Sequence, residues 1–210
     1  MKFVPPSGIA VLESRWGKHW DISVSPFVHA ACQAFDSGPL SFHYETVNSK
    51  VALEEALPRI AQMRHIKYVY LALHGTHRGL ECFNGDVLSL ETMQTDLASA
   101  LTQRGATLAG LHIGACGFGT AGNLSNLLSA APKLSWVSGY STRADWIGSA
   151  ALDMQIIYHL LGSLEAEHKG KIEDVAERLK GHAAGACKDF GLNIIARAAG
   201  SKTHNLMEIE

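Results

Sequence analysis

Two short apolar runs constrain the fold of this chain more than any other feature. Residues Tyr68–Leu73 read YVYLAL, and residues Leu108–Ala115 read LAGLHIGA. Runs of this length are typical of parallel strands covered on both faces, because a half-exposed strand would alternate polar and apolar residues. A helix predicted from Leu90 to Arg104 separates the two runs. Together they indicate a strand, helix, strand unit of a parallel sheet.

The rest of the chain continues the alternation of strands and helices. Further strands are predicted at Gly8–Glu13, Ser41–Val47 and Trp136–Tyr140, and further helices at 26–35, 50–63, 122–131, 146–161 and 171–185. This order favours a doubly wound α/β fold, with a mostly parallel sheet of about four to six strands flanked by helices. We expect one domain over residues 1–200 and a loose polar tail over residues 201–210.

Composition agrees with a single domain and argues against several kinds of partner. Of the 210 residues, 47% are hydrophobic, which suffices for one core. The net charge of −2 and the scattered Lys and Arg argue against binding to nucleic acid. Residues Met1–Leu12 lack the apolar run of a signal peptide, and no later stretch is apolar for long enough to span a membrane. We therefore expect a cytoplasmic protein without membrane contact, and its four cysteines to be reduced thiols.

A histidine and a cysteine directly follow the two apolar runs. His74 comes after Leu73, and Cys116 comes after Ala115. The carboxyl ends of parallel strands share one edge of the sheet, so we expect the imidazole and the sulfur to be neighbours. A thiolate beside an imidazolium can attack a carbonyl carbon, and the imidazolium can then protonate the leaving amine. His74 and Cys116 are therefore the predicted catalytic residues.

Glycines lie next to both reactive residues. Gly75 follows the histidine, and Gly114 and Gly117 lie on either side of the cysteine. Attack on a carbonyl needs N–H donors aimed at the oxygen on which negative charge develops. We predict that the backbone N–H groups of Gly75 and Cys116 are these oxyanion donors.

The pattern resembles the caspase-type cysteine peptidases of clan CD, which include caspases, separase, legumain and the bacterial CHAT-domain proteases. In that group one apolar strand ends in His-Gly and a later one in Ala-Cys-Gly, as at His74 and at Cys116 here. The resemblance covers roughly residues 68–161. The signature around the caspase cysteine is met only in part, because Gly114 replaces a Gln and Phe118 replaces a Gly. These differences argue against the preference of caspases for Asp.

The resemblance implies a caspase-like fold and a cysteine endopeptidase that needs no metal or organic cofactor. It implies protein or peptide substrates, in regulated proteolysis or defence, and it leaves a homodimer or a regulatory protein partner open. In similar proteins the loop after the strand that follows the cysteine shapes the pocket for the residue before the scissile bond. Ser141 and Asp145 lie in that loop here and are the candidate substrate-binding residues. An acidic floor at Asp145 would favour Lys or Arg in the substrate.

A zinc site would use some of the same residues. His74, His77 and Cys82 are close in sequence, and His112 precedes Cys116 by four residues. On a strand, however, His112 and Cys116 would be roughly 13 Å apart, too far to share an ion. The chain also lacks the CxxC and HExxH motifs.

The glycine-rich segment after the second apolar run permits a nucleotide-binding interpretation. The glycines at 117, 119 and 122 match the spacing of the dinucleotide-binding fingerprint. No acidic residue stands at the end of the next predicted strand, where that fingerprint requires one. A caspase-like or flavodoxin-like module without catalytic activity, which binds a protein partner or a nucleotide, remains the second interpretation.

Overall fold

Seven strands form one central sheet in the computed structural model, which describes residues 8–17, 22–34, 42–76, 78–165, 171–198 and 202–208. Across the sheet they lie in the order Phe42–Thr46 (β2), Gly8–Glu13 (β1), Ile66–Ala72 (β3), Gly110–Ile113 (β7), Trp136–Tyr140 (β8), Leu192–Arg197 (β9) and Thr203–Asn205 (β10). The strands from β2 to β8 are parallel, and β9 and β10 add an antiparallel edge. A separate small sheet contains His74–Thr76 (β4), Gly79–Glu81 (β5) and Val87–Leu88 (β6).

Helices cover both faces of the central sheet. One face packs against Lys50–Ala61 (α2), Leu90–Thr102 (α3) and Ala121–Ala130 (α4). The other face packs against Ser25–Gln33 (α1), Trp146–Glu165 (α5), Ile172–His182 (α6) and Ala184–Asp189 (α7). Within the described part of the chain, no helix has the length and apolar character required to cross a membrane.

The central strand β3 shows why both faces need covering. Val69 and Leu71 belong to the core on one face, and Tyr68 and Tyr70 belong to the core on the other. Successive side chains of a strand point to opposite faces, so an unbroken apolar run fills two cores at once. The predicted α/β class with a mostly parallel sheet flanked by helices is confirmed, and β1 and β8 have the predicted bounds.

The sheet exceeds the predicted four to six strands because β10 was not among the predicted strands, and neither was its neighbour β9. The β9 sequence LNIIAR places Ile194 in one core and Ile195 in the other, and both side chains are buried. Polar Asn193 and Arg197 interrupt the apolar run, which is why its pattern is weak. The polar side chain at the end of the strand bonds to the backbone: Arg197 donates to the carbonyl of Leu134 at 2.9 Å.

Residues 202–208 form an ordered edge rather than the loose tail expected there. Strand β10 pairs with β9, and Asn205 Nδ2 donates to Asn193 Oδ1 at 2.8 Å. Leu206 and Met207 pack against the core on the side of α5. An edge strand needs few apolar residues, because only part of it is covered, so a polar sequence does not exclude one.

The helix predicted over residues 171–185 is divided in two. Helix α6 ends at His182 and α7 begins at Ala184. Ala183 has φ −134° and ψ 23°, outside the α-helical region, which breaks the helix there. Helix α7 then leads into β9.

Candidate active site

His74 and Cys116 follow two adjacent strands of the central sheet. Strands β3 and β7 pair in parallel, with Tyr70 opposite His112. His74 comes two residues after the end of β3, and Cys116 comes three residues after the end of β7. Both line a single cavity of about 150 Å³. The predicted adjacency of the two strands is therefore confirmed, and His74 and Cys116 line the same cavity.

The backbone of Trp16 holds the imidazole of His74. His74 Nε2 lies 3.0 Å from the carbonyl oxygen of Trp16, and the two rings meet edge to face with centroids 5.0 Å apart. A carbonyl oxygen only accepts hydrogen bonds, so Nε2 carries the proton and donates. In the neutral imidazole, Nδ1 is then the nitrogen left to exchange a proton.

A buried carboxylate at the end of β1 anchors this support. Glu13 is 2% exposed, and its Oε1 accepts from the indole N–H of Trp16 at 2.7 Å and from the backbone N–H of Val24 at 2.9 Å. Its Oε2 accepts from the hydroxyls of Ser23 and Tyr44 at 2.6 and 3.1 Å. Four donors satisfy the carboxylate, which makes its burial tolerable. Glu13 thus fixes the tryptophan whose carbonyl binds His74.

Cys116 lies in a tight turn between β7 and α4. Its sulfur is half-buried and lies 3.4 Å from both the backbone nitrogen and the carbonyl oxygen of Ala144. Gly117 follows with φ +69°, a conformation that favours glycine, and its N–H donates to the carbonyl of Thr142 at 2.9 Å. Among the described residues, the N–H of Cys116 itself has no acceptor. That donor is available to a bound group.

Gly75 packs directly against the backbone of Cys116. A Cβ atom built on Gly75 would lie 1.9 Å from the carbonyl oxygen and 2.6 Å from the nitrogen of Cys116. Both distances are far below van der Waals contact, so only glycine fits at this position. The glycine predicted as an oxyanion donor therefore also sets how closely the histidine segment approaches the cysteine.

Replacing Gly75 by Ala should displace Cys116 and impair the site. The added methyl group must push the turn away, and overpacking of this kind costs about 1–3 kcal/mol of folding free energy. Displacement by about 1 Å at a reacting group can reduce a rate by about 100-fold. The measurements are urea unfolding and the rate at which iodoacetamide modifies Cys116.

Gly181→Ala is the matched control for this substitution. Gly181 lies in α6, and a Cβ there would meet no atom within 4 Å. We expect it to leave the Cys116 rate unchanged and to leave the stability unchanged or raise it by about 0.5–1 kcal/mol. Wild-type behaviour of Gly75→Ala in both measurements would contradict the close contact.

A buried polar network underlies the site and was not predicted. Tyr70, His112 and Ser138 stand opposite one another on β3, β7 and β8. The carboxylate of Asp153 in α5 lies against them. Its Oδ1 is 2.6 Å from His112 Nε2 and also accepts a hydrogen bond from the Tyr140 hydroxyl. Its Oδ2 accepts a hydrogen bond from the Tyr70 hydroxyl. His112 Nδ1 lies 2.8 Å from the hydroxyl oxygen of Ser138. One carboxylate thus ties three strands to a helix.

The network reaches the wall of the cavity through two contacts. Tyr140 lines the cavity, and a Cβ on Gly114 would lie 2.4 Å from the ring of Tyr70. Burial, and then the charge of Asp153, raise the pKa of both tyrosine hydroxyls well above the ordinary value. Both hydroxyls therefore stay protonated and keep donating to Asp153. The network fixes the relative positions of the strands that lead to His74 and Cys116.

The two candidate substrate-binding residues lie outside the wall of this cavity. Asp145 is exposed and caps α5. Its side-chain Oδ1 accepts a hydrogen bond from the N–H of Gly148 at 2.7 Å, and its carbonyl oxygen accepts one from the N–H of Ser149 at 3.0 Å. Ser141 lines a second cavity, of about 600 Å³, together with Lys180 and Cys187. Neither His74 nor Cys116 lines that larger cavity. A role for Asp145 or Ser141 in substrate selection stays a prediction, which these positions do not favour.

The glycines at 117, 119 and 122 have separate structural settings. A Cβ on Gly119 would lie 2.2 Å from the carbonyl carbon of Gly139, so Gly119 allows the turn to pack against β8. Gly122 lies inside α4, which begins at Ala121 and is capped by the hydroxyl of Thr120. The glycine spacing that matches the dinucleotide fingerprint therefore includes one residue, Gly119, that close packing against β8 requires.

A metal site has no support in the described part of the chain. There, no three His, Cys, Asp or Glu side chains lie close enough to hold a metal ion. His77, one member of the sequence cluster, lies outside the described residues.

Comparison with protein-family models and with curated proteins gives no match for this chain.

Proposed function

We propose that this chain is a caspase-like cysteine peptidase, with Cys116 as the nucleophile and His74 as its proton donor and acceptor. One observation carries the proposal: Cys116 and His74 follow adjacent parallel strands and line one cavity. Each residue also stands out in the sequence by itself, because it ends an apolar run beside a glycine.

The reaction would proceed through a thioester on Cys116. The thiol gives its proton to Nδ1 of His74, and the sulfur attacks the carbonyl carbon of the peptide bond. The carbon–nitrogen bond then breaks as Nδ1 returns the proton to the amine. A water molecule, deprotonated by the imidazole, attacks the thioester and releases the acid and the thiol. Throughout these steps Nε2 stays bound to the Trp16 carbonyl, which keeps the ring oriented.

The backbone beside the sulfur can stabilise the charge that develops in this reaction. The N–H of Cys116 has no acceptor among the described residues, and the close contact at Gly75 brings a second backbone segment to the same place. Two N–H donors aimed at an oxyanion are the largest contribution to many acyl transfers. These two positions are the oxyanion donors of the proposal.

The proposal predicts that iodoacetamide modifies Cys116 before the other three cysteines at neutral pH. Burial raises the pKa of Cys32 and of Cys82 to about 11, and it also raises the pKa of Cys187. Each unit of pKa lowers the fraction of reactive thiolate tenfold, so the two most shifted thiols should react about 100-fold more slowly than ordinary ones. Peptide mapping by mass spectrometry measures all four rates in one sample.

Two controls sharpen the alkylation experiment. Concentrated urea should make all four cysteines react at similar rates, because unfolding removes the burial. His74→Gln in the folded protein should slow Cys116 and leave the slow rates of the other thiols unchanged, since the imidazolium favours the thiolate. Equal rates for Cys116 and the buried thiols would instead favour the silent binding module.

A further inference from the structure

The cavity beside Cys116 is poor in charge. Its described wall contains no Asp, Glu, Lys or Arg; besides His74 and Cys116, the larger side chains there are those of Trp16, Leu73, Tyr140, Trp146 and Ser149. Arg143 and Asp145 flank Ala144 in the chain, but both are exposed and neither lines the cavity. The carboxylate of Asp145 already caps α5. The described wall therefore offers a substrate no carboxylate and no Lys or Arg side chain.

The position of the sulfur decides which part of a substrate enters this cavity. Cys116 lines it, so a peptide carbonyl under attack must lie at its wall. The side chain that belongs to this carbonyl branches from the neighbouring Cα atom, and it is therefore the first group to enter. This is the side chain of the residue before the scissile bond.

Size and polarity of the cavity favour an apolar occupant. Its volume of about 150 Å³ is that of apolar cavities that take up a benzene ring. A Lys, Arg or Asp side chain would lose its hydration on entry without a dedicated partner of opposite charge, which is unfavourable. Trp146, one of the aromatic residues in the wall, is supported on its other side. Its ring packs edge-on against the ring of Phe27 in α1, with the two centroids 5.8 Å apart.

We infer that the substrate carries an uncharged, apolar side chain, of the size of Leu, Met or Phe, before the scissile bond. The inference rests on the proposed function, since it needs Cys116 to attack that bond. It differs from the basic preference that an acidic floor at Asp145 would give. Trp16, Tyr140 and Trp146 are its specificity-determining residues.

A matched set of covalent peptide probes tests this inference. Acyloxymethyl ketones that differ only in the residue next to the ketone, with norleucine, phenylalanine, lysine, arginine or aspartate, are added to the full chain. Mass spectrometry gives the rate of modification at each of the four cysteines. We expect the norleucine or phenylalanine probe to modify Cys116 at least about tenfold faster than the three charged probes.

A gain of basic preference gives a second, independent readout. Ser149→Asp places a carboxylate in the wall, and an acidic residue in the first turn of α5 is compatible with the helix dipole. This variant should increase the rate of the lysine and arginine probes, relative to norleucine, by at least about tenfold. Ser149→Ala is the control and should keep the apolar preference.

The outcomes separate the inference from the function on which it rests. Faster reaction of Cys116 with a charged probe than with the apolar probes would overturn the inference and leave the peptidase proposal standing. An apolar preference that Ser149→Asp does not shift would also overturn it, because the cavity would not be the site of selection. Probes that react at Cys116 no faster than at the buried cysteines would refute both.

Discussion

Replacing Cys116 by Ala is expected to abolish peptide cleavage, with a rate at least about 10⁴-fold lower than wild type. Removing the nucleophile leaves no group to form the thioester, and the oxyanion donors alone provide little acceleration. His74→Gln should lower the rate by about 10²–10⁴-fold, since glutamine cannot transfer a proton to the leaving amine. The double variant should be little worse than Cys116→Ala, because the two residues act as one unit. A peptide library read by mass spectrometry provides the substrates and the rates.

Two variants control for effects on folding. Cys187→Ala removes a buried thiol from α7, and His65→Gln removes an exposed imidazole; neither residue lines the cavity beside Cys116. Both should cleave at the wild-type rate. Cleavage by Cys116→Ala, at a rate above about one hundredth of the wild type, would show that another group performs the chemistry.

Replacing Asp153 by Ala should reduce the free energy of unfolding by about 3–5 kcal/mol. Asp153 is 3% exposed and accepts hydrogen bonds from Tyr70, His112 and Tyr140. Without the carboxylate these three donors stay buried with no acceptor, and each unpaired donor is costly. A loss of this size is a large share of the stability of a typical domain. Urea unfolding measures it as a lower midpoint at an unchanged slope.

An exposed carboxylate provides the matched control for Asp153. Glu177 lies on the exposed side of α6, and Glu177→Ala should change the stability by less than about 0.5 kcal/mol. Tyr70→Phe, which removes a single donor and keeps the ring, should cost about 1 kcal/mol, between the two extremes. An Asp153→Ala protein as stable as the Glu177→Ala protein would contradict the view that the network joins the strands beneath the site.

The sequence was most informative where burial leaves a simple pattern. Strands β1 and β8 are fully buried, and their predicted bounds were correct. The adjacency of β3 and β7 followed from the helix between them and from the general rule for parallel strands. His74 and Cys116 could be identified as candidates because each ends an apolar run and stands beside glycine.

Features that depend on register or on the backbone could not be predicted in this way. The support for His74 comes from the carbonyl of Trp16, and a carbonyl has no residue-specific signal. The network needs Tyr70 and His112 to be opposite each other, and a sequence does not show the register of two strands. Asp153 did leave a signal, since it is a carboxylate among the apolar residues of α5. Its partners could be identified only from the fold.

Edges of the sheet were another source of error. Strand β10 and the small sheet of β4, β5 and β6 contain two or three residues in each strand, too few for a periodic pattern.

Asp145 shows a related difficulty in predicting the site from sequence. In sequence, a carboxylate just before a helix is compatible with a helix cap and with a substrate ligand. The structure shows the cap, a 2.7 Å bond from the N–H of Gly148, and the ligand role stays a prediction.

The most direct test of the account is detection of the covalent intermediate on Cys116. An activated ester of an acylated amino acid with an apolar side chain is mixed with the protein, quenched in acid within the first turnovers and digested for mass spectrometry. If Cys116 is the nucleophile, an acyl group is expected on the peptide that contains Cys116, released by neutral hydroxylamine and absent from the Cys116→Ala protein. Rapid cleavage of the ester with no acyl group on Cys116, or with the group on another cysteine, would contradict this role of Cys116.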